Sequence, residues 1–283
     1  RGVTKRGLAR MVSALGVLAL TGACAGEAPR GDAPDGLPTL VSLNPCVDAI
    51  LVEIAAPSQI VALSHYSRGE GGSIDPALAR RFGVTGGTAE EIIALAPDLV
   101  LASTFIDPST RAALERAGLR IETFGGVESV AASRAQVARI AALAGDPGRA
   151  DALLGQLGEG GAPPPDPAAP GALLWQAGEI VPGQRTLIVE LIAEAGFADH
   201  AAALGLGQAD RVALEQVIAD PPDLLLVAGE SAGQLHPALQ ALPQTRVHRF
   251  DPRLFYCGGP SIIAARAELA ALRASLAHRQ ARR

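Results

Sequence analysis

One segment of the sequence occurs twice, and this repeat narrows the folds that the chain can adopt. The two copies lie at residues 88–103 and 213–228 and align without a gap at a constant offset of 125 residues. In each copy, a short stretch with helical periodicity ends at a proline, which lacks the N–H group that a continuing helix needs. An aspartate and an apolar run follow, and such a run is typical of a strand buried on both faces of a parallel sheet.

The repeat predicts a molecule with two similar α/β lobes. An offset of 125 residues is much longer than the period of a solenoid, and a chain of 283 residues has room for two domains. A single helix followed by Pro-Asp and a strand would be weak evidence for two lobes, because this pattern is common in α/β proteins. The matched pair Glu90 and Glu215, each seven residues before a proline, favours two related lobes.

The first 25 residues have the features of a removable export signal. A basic start precedes an apolar centre at residues 11–20, and small residues surround Cys24. We therefore expect residues 1–25 to be removed on export and residues 26–38, rich in Gly, Pro and Ala, to form a flexible leader. Lipid attachment through Cys24, at the end of Leu-Thr-Gly-Ala-Cys, and an N-terminal membrane anchor are the alternatives.

The net charge argues against nucleic acids and anionic membranes as partners. The formal charge of the whole chain is −5, and removal of the first 25 residues takes away four basic residues and no acidic one, leaving −9. Polyanions repel a protein of this charge. We therefore expect no nucleic-acid partner.

The order of the remaining segments predicts the domain organisation. Apolar runs alternate with helical stretches in both halves, as in parallel sheets with helices on their faces. A long helical stretch between the halves is interrupted by Gly145-Asp-Pro147, so it forms either two helices or one kinked rod. The predicted segments are an N-terminal α/β lobe at 39–127, an interdomain helix at 128–158, a Pro/Gly-rich loop at 159–170 and a C-terminal α/β lobe at 171–278.

The sequence favours binding over catalysis. It contains no Gly-rich nucleotide-binding loop, no His-Glu-x-x-His and no Cys-x-x-Cys. We therefore expect no enzymatic activity, no resident cofactor and no metal site. Loops at the carboxyl ends of parallel strands form the usual ligand site of such lobes. The loops in question are 44–48, 65–68, 103–107, 175–185 and 251–261.

Several segments match one protein family. They are Ser42-Leu-Asn-Pro-Cys-Val-Asp48, Ser64-His-Tyr-Ser67, both copies of the repeat, the long middle helix and Phe255-Tyr-Cys-Gly-Gly-Pro260. Together they resemble the cobalamin and ferric-siderophore periplasmic binding proteins, class III of the ABC-importer binding proteins, from Leu40 to Leu276. The resemblance implies two Rossmann-like lobes with parallel sheets, joined by a long α-helix, with a ligand cleft between them and only small hinge motion.

The same resemblance implies roles for individual residues. Glu90 and Glu215 match carboxylates that dock onto arginines of the membrane permease, and the alternative is a solvated helix face. Tyr66 matches a cleft tyrosine of the family. The predicted ligand-binding residues are Asn44, Cys46, His65, Tyr66, Arg68, Phe105, Trp175, Gln176, Arg253, Tyr256 and Cys257.

For four of these residues the sequence leaves two interpretations open. Trp175 either stacks on a flat ligand or fills the core, and His65 is either an axial metal ligand or a hydrogen-bonded loop residue. Arg68 and Arg253 either pair with ligand carboxylates or phosphates or are exposed to solvent.

Cys46 and Cys257 have three interpretations. Each lies near the start of a helix that should begin at the cleft, one in each lobe, and a helix N-terminus lowers the pKa of a thiol. The two cysteines either pack as small residues, form a disulfide across the cleft, or act as soft ligands for a metal or haem. We expect plain packing.

These observations predict a monomeric periplasmic solute-binding protein. It would capture a corrinoid such as cobalamin, or an iron chelate such as a siderophore, and deliver it to an ABC permease. One alternative is a periplasmic protein that handles haem, metal or thiols through Cys46, Cys257 and His65. Another is a sensor or adaptor domain that uses this fold for protein contacts.

Overall fold

Two separate β-sheets form the framework of the protein. The computed structural model describes residues 36–69, 72–161, 163–164, 166, 168–206 and 209–280. The expected export signal, Cys24 and residues 26–35 of the leader lie outside these ranges. Within them, no helix combines the length and the apolar character that crossing a bilayer requires.

The first lobe alternates strands and helices. Its elements are β1 (Leu40–Ser42), α1 (Pro45–Ile54), β2 (Ile60–Ser64), α2 (Pro76–Ala79), β3 (Val84–Thr85), α3 (Ala89–Leu95), β4 (Leu99–Ser103), α4 (Pro108–Arg116) and β5 (Ile121–Phe124). The five strands form one sheet of order β3-β2-β1-β4-β5, and every pairing in it is parallel. This is the Rossmann-like order: the first strand lies at the centre, β2 and β3 are added on one side of it, and β4 and β5 are added on the other.

Two helices connect this lobe to the second one. They are α5 (Val130–Leu143) and α6 (Asp151–Leu157), separated by a 3₁₀ turn at Pro147–Ala150. The structure thus selects two helices over one kinked rod. Gly145 adopts a φ of +88°, which favours glycine, and Pro147 cannot donate the hydrogen bond that a continuing helix requires.

The second lobe contains a mixed sheet. Its elements are β6 (Gly171–Gln176), β7 (Ile180–Pro182), α7 (Leu187–Glu194), β8 (Ala198–Asp199), α8 (His200–Ala203), β9 (Ala209–Arg211), α9 (Leu214–Ala219), β10 (Leu224–Ala228), β11 (Arg246–Arg249) and α10 (Ser261–Gln280). Strands β11, β10, β6 and β8 pair in parallel, whereas β7 runs antiparallel to β6 and to β9. Part of the segment 177–185, predicted as a loop, is therefore strand β7, which lies between β6 and β9 in the sheet.

The repeated aspartate has the same structural role in both lobes. The Asp98 carboxylate accepts a hydrogen bond from the main-chain N–H of Thr39 (2.8 Å), and the Asp223 carboxylate accepts one from that of Gly171 (2.8 Å). Thr39 and Gly171 stand at the beginning of β1 and β6, the strands that pair with β4 and β10. Each aspartate therefore satisfies a donor at the start of a central strand and helps to fix its register.

One apolar core extends through both lobes. Ile50 of α1, Ile140 of α5, Leu191 of α7 and Leu269 of α10 are fully buried and belong to one cluster of contacting side chains. Full burial of an aliphatic side chain of this size contributes about 1.5–3 kcal/mol. A shared core of this kind resists separation of the lobes.

Polar contacts join the lobes along the same core. The Glu190 carboxylate of α7 accepts a hydrogen bond from the N–H of Val130 at the start of α5 (3.0 Å). The buried Ser133 hydroxyl of α5 accepts one from the N–H of Gly259 (2.7 Å). A Cβ at position 259 would lie 2.8 Å from the Ile50 side chain, and the residue has a φ of +68°, so glycine is required for this approach.

A disulfide bond links the lobes as well. Cys46, in the first turn of α1, is bonded to Cys257, which precedes α10, and their Cα atoms lie 5.1 Å apart although 211 residues separate them in sequence. This bond corrects the expectation of plain packing. It also leaves neither sulfur as a thiolate, the form that binds a metal. Such a bond persists in an oxidising compartment.

Replacement of both cysteines by serine should destabilise the protein by about 2–5 kcal/mol, because the disulfide closes a long loop in the unfolded chain. Urea denaturation of the wild type and of the Cys46→Ser/Cys257→Ser variant measures the difference. A reductant should lower the midpoint of the wild type and leave that of the double variant unchanged. Equal midpoints for both proteins under oxidising conditions would contradict the prediction.

Candidate functional site

A cavity of about 450 Å³ opens in the first lobe, at the carboxyl ends of its strands. It lies where β1, β2 and β4 end, which is the ligand site expected for a sheet of this order. Four of the predicted ligand-binding residues line it: Asn44, His65, Tyr66 and Phe105. The rest of the lining is Leu43, Pro45, Ser64, Thr85, Gly86, Gly87, Ser103, Ile106, Asp107 and Thr110.

Two adjacent aromatic rings project into this cavity. His65 and Tyr66 begin the 3₁₀ turn at residues 65–68, their ring centroids lie 4.0 Å apart, and both side chains are exposed. Tyr66 is 58% exposed and Phe105, on the facing loop, is 90% exposed. Exposure of this size for aromatic rings beside a cavity is unfavourable in water, so these rings are available to a ligand.

A buried carboxyl group supports the turn that carries these rings. Asp48 of α1 is fully buried and accepts hydrogen bonds from the hydroxyl of Ser64 (2.5 Å) and from its main-chain N–H. The Ser67 hydroxyl in turn donates to the Ser64 carbonyl (2.7 Å). Burial raises the pKa of Asp48 to about 7, because desolvation penalises the carboxylate more than its hydrogen bonds favour it.

The disulfide brings a loop of the second lobe beside this cavity. The Asn44 side chain accepts from the N–H of Cys46 (2.9 Å) and donates to the carbonyl of Phe124 (3.2 Å), so it caps α1 at the cavity wall. Cys46 holds Cys257, and the preceding Tyr256 is 58% exposed. A third exposed aromatic ring therefore stands at the junction of the two lobes.

A second cavity, of about 440 Å³, occupies the corresponding edge of the second lobe. It is lined by Val227, Gly229, Glu230, Arg249, Phe250, Asp251 and Pro252. Arg249 is exposed at the end of β11, and one of its N–H groups donates to the Gly229 carbonyl. The other N–H groups of the guanidinium remain for a ligand. Arg249 was not among the residues predicted from the sequence, although its place at the carboxyl end of a predicted strand was a usable signal.

The two arginines that the sequence proposed are already engaged. The Arg253 guanidinium pairs with the Asp251 carboxylate, with contacts of 2.5 to 3.1 Å, and this pair lowers the pKa of Asp251 and raises that of Arg253. Arg68 donates to the carbonyl of Phe82 (2.8 Å) and so ties its turn to the segment between α2 and β3. Neither arginine lines either cavity.

Trp175 and Gln176 do not reach the cavities either. Trp175 is fully buried, and its indole N–H donates to the Val212 carbonyl (2.9 Å), so the core-filling interpretation holds. Gln176 is half-buried at the end of β6, where its main-chain carbonyl accepts from the Gln234 side chain.

A hydrolase-like pattern follows β10. Gly229-Glu-Ser-Ala-Gly233 has the Gly-x-Ser-x-Gly spacing of a nucleophile elbow, which needs a strand, a sharp turn and a helix. Here the segment continues as turns, and the Ser231 hydroxyl donates to the Gln234 side chain (3.0 Å). The pattern is thus part of a local hydrogen-bonded turn.

With this geometry in view, comparison with family models is decisive. Residues 40–247 match the model of the periplasmic binding protein family. The chain belongs to this family. The family consists of substrate-binding proteins of ABC importers, of class III, and not of enzymes.

Solved structures of periplasmic binding proteins share the fold. A haem-binding protein from Pseudomonas aeruginosa superposes with a TM-score of 0.63 at 22% identity, covering 85% of this chain and 93% of that one. The haem-binding protein RhuT from Roseiflexus sp. RS-1 superposes with a TM-score of 0.64 at 22% identity, covering 85% of this chain and 98% of that one. The vitamin B12 binding protein BtuF of Vibrio cholerae gives 0.58 at 16% identity, with coverages of 84% and 97%. No curated protein matches the sequence.

The repeat of this periplasmic binding protein presents one glutamate on each lobe. Glu90 and Glu215 are both the second residue of a short helix, α3 and α9, and both are exposed. Neither carboxylate forms a hydrogen bond or ion pair within the described part of the chain. The side chains of the next residues, by contrast, have partners within the protein. The Glu91 carboxylate accepts a hydrogen bond from the Thr85 hydroxyl (2.8 Å), and the Gln216 side chain accepts one from the main-chain N–H of the residue before its helix (3.0 Å).

The raised pKa of Asp48 makes a prediction about stability. Between about pH 4 and pH 7 the folded state retains a proton that the unfolded state has released, so the stabilisation is full below pH 4 and is lost as the pH rises through 7. The Asp48→Asn variant should therefore lose less stability than the wild type between pH 5 and pH 8. The additional loss of unfolding free energy in the wild type, relative to the variant, should not exceed about 1.4 kcal/mol per pH unit.

Urea denaturation at both pH values measures this difference, with the exposed Asp151→Asn variant as the control that keeps the wild-type dependence. The same pH dependence in Asp48→Asn and the wild type would show that Asp48 is ionised in the folded protein at pH 5.

Proposed function

We propose that this binding protein captures a flat metal chelate in the periplasm, with haem as the preferred ligand, and delivers it as a monomer to an ABC permease. The observation that carries the proposal is the pair His65 and Tyr66, which place an imidazole and a phenol side by side in the first-lobe cavity. Both groups are axial ligands of haem iron in proteins. Because haem supplies four nitrogen ligands itself, one or two donors from the protein complete the coordination.

The aromatic rings around the site suit a flat apolar ring. Phe105 and Tyr256 are exposed, the first on the wall of the first-lobe cavity and the second beside the disulfide. Contact with a macrocycle removes these faces from water and adds favourable ring–ring geometry. Proteins with this fold from Pseudomonas aeruginosa and Roseiflexus bind haem, which supports the same ligand class here.

The second lobe offers a partner for the polar edge of such a ligand. Arg249 lines the second cavity with most of its N–H groups unused. A guanidinium binds carboxylates through two parallel hydrogen bonds, and haem carries two carboxylates on one edge. An iron centre held by the first lobe and carboxylates held by the second would place the ligand between the lobes.

A corrinoid is the second candidate ligand. The three exposed rings Tyr66, Phe105 and Tyr256 favour it, since stacking on a corrin ring needs aromatic faces and no new metal ligand. The two candidates differ in their use of His65, because only an iron tetrapyrrole with a vacant axial position requires that donor.

The ligand is identified by titration of the purified protein with haem, cobalamin, a ferric hydroxamate and a ferric catecholate. We expect haem to give a saturable shift of the Soret band, and His65→Ala and Tyr66→Phe to weaken haem binding about tenfold or more and to alter that band. His278→Ala, which removes an exposed histidine of α10, is the control that keeps the wild-type response. Saturation by cobalamin with no response to haem would replace haem by the corrinoid.

Delivery requires contact with a permease, and we propose that Glu90 and Glu215 provide it. One carboxylate on each lobe, without an internal partner, can pair with basic groups on a two-subunit permease and speed the encounter by charge. Both glutamates occupy the same position in their copies of the repeat, which supports this role.

The Glu90→Lys/Glu215→Lys variant should lose binding to the permease–ATPase complex in nanodiscs while its ligand affinity stays unchanged. Glu53→Lys/Glu128→Lys makes the same charge change at two exposed glutamates outside the repeat and should bind like the wild type. If the first variant docks normally, the glutamates are ordinary surface residues and a sensor or adaptor role gains weight.

A further inference from the structure

The helices that carry Glu90 and Glu215 share a second exposed feature. Eight large apolar side chains are exposed in the described part of the chain: Tyr66, Val84, Ile93, Phe105, Ile180, Ile218, Leu235 and Tyr256. Three of them surround the ligand site. Two of the remaining five, Ile93 and Ile218, occupy the same position in the two copies of the repeat, one on α3 and one on α9.

The environment of these two isoleucines is the same in both lobes. Ile93 is 42% exposed and Ile218 is 38% exposed, whereas the residues immediately before them, Ile92 and Val217, are fully buried. The core side of each helix is thus already filled by the preceding residue. Single exposed apolar residues are ordinary on protein surfaces; here both copies of the repeat keep one at the same position, beside the exposed glutamate.

Each isoleucine lies next to its glutamate. Residues three apart on a helix are neighbours on its surface, so Glu90 adjoins Ile93 and Glu215 adjoins Ile218. Each helix therefore presents a carboxylate beside an aliphatic group. A water-exposed carboxylate pairs weakly with a cation, and an apolar contact beside it excludes water and strengthens the pair.

We infer that Ile93 and Ile218 form, with Glu90 and Glu215, two composite docking points, and that the partner is a permease with a basic group beside an apolar pocket at each of two positions. The inference rests on the proposed delivery function and adds the apolar half of the contact. The acidic charge of the two points selects a basic partner surface, and their equivalence on two lobes selects a partner with two equivalent halves.

The test compares two double variants that are matched in helix propensity. Leucine and glutamine favour helices equally, so Ile93→Gln/Ile218→Gln removes the apolar surface and Ile93→Leu/Ile218→Leu keeps it. The probe is the permease–ATPase complex of the source organism in lipid nanodiscs, with binding measured by surface plasmon resonance. Burial of the exposed part of two isoleucines predicts a loss of about tenfold or more for the glutamine variant and less than about threefold for the leucine variant.

The outcomes separate this inference from the proposed function. Normal docking of the glutamine variant, together with loss of docking in Glu90→Lys/Glu215→Lys, overturns the apolar contact and leaves the charged one standing. Normal docking of all variants, or no docking of the wild type, overturns both. An unchanged far-UV circular dichroism spectrum and an unchanged urea denaturation midpoint of each variant establish that its fold is intact. Sedimentation velocity tests whether a second copy of this chain covers these surfaces instead. A wild-type protein that is dimeric and a glutamine variant that is monomeric would also overturn the inference.

Discussion

The geometry of this binding protein depends on one apolar core that both lobes share. Helices α1, α5, α7 and α10 bury side chains into a single cluster, and strands of both sheets contribute to it. Because the strands are held against these helices, the carboxyl edges of the two sheets keep a defined position relative to each other. The cavities at those edges are therefore positioned by packing remote from them. Wide opening of the lobes would expose this core, which favours small movements during ligand exchange.

The disulfide adds a covalent constraint beside the first-lobe cavity. It connects the start of α1, next to the first-lobe cavity, to the loop that leads into α10. The shared core and the disulfide therefore both oppose separation of the lobes. A rigid chelate suits such a site, because a preformed cavity binds it without the entropic cost of ordering loops.

The two lobes are alike in architecture and unlike in chemistry. The repeat supplies both with a strand-capping aspartate, a buried residue on a short helix and an exposed glutamate. The ligand-facing loops differ, since the first lobe offers an imidazole and a phenol whereas the second offers a guanidinium. Under the proposed function, the equivalent surfaces would contact a two-fold permease and the unequal loops would hold an asymmetric ligand.

Trp175 shows why part of the site was beyond prediction. In β6, Ala172 and Leu174 pack into the shared core while Leu173 and Trp175 pack into the core on the other face of the sheet. The alternation is the ordinary pleat of a strand, but the sequence is apolar at all of these positions. The apolar run at residues 172–175 does not indicate which face of the sheet Trp175 takes. Only the packed sheet places Trp175 in the core of the second lobe, where its indole N–H donates to Val212.

By itself the sequence determined the two α/β lobes, an interruption in the connecting helical stretch, the loops at the strand ends and the matched glutamates. All of these follow from local periodicity, from the backbone chemistry of proline and glycine, and from an internal repeat. The tertiary structure decided the Cys46–Cys257 bond, the raised pKa of Asp48, the availability of Arg249 and the exposure of Ile93 and Ile218. These properties depend on which distant residues meet and how much water reaches them, and burial and long-range contact are set only when the whole chain has packed.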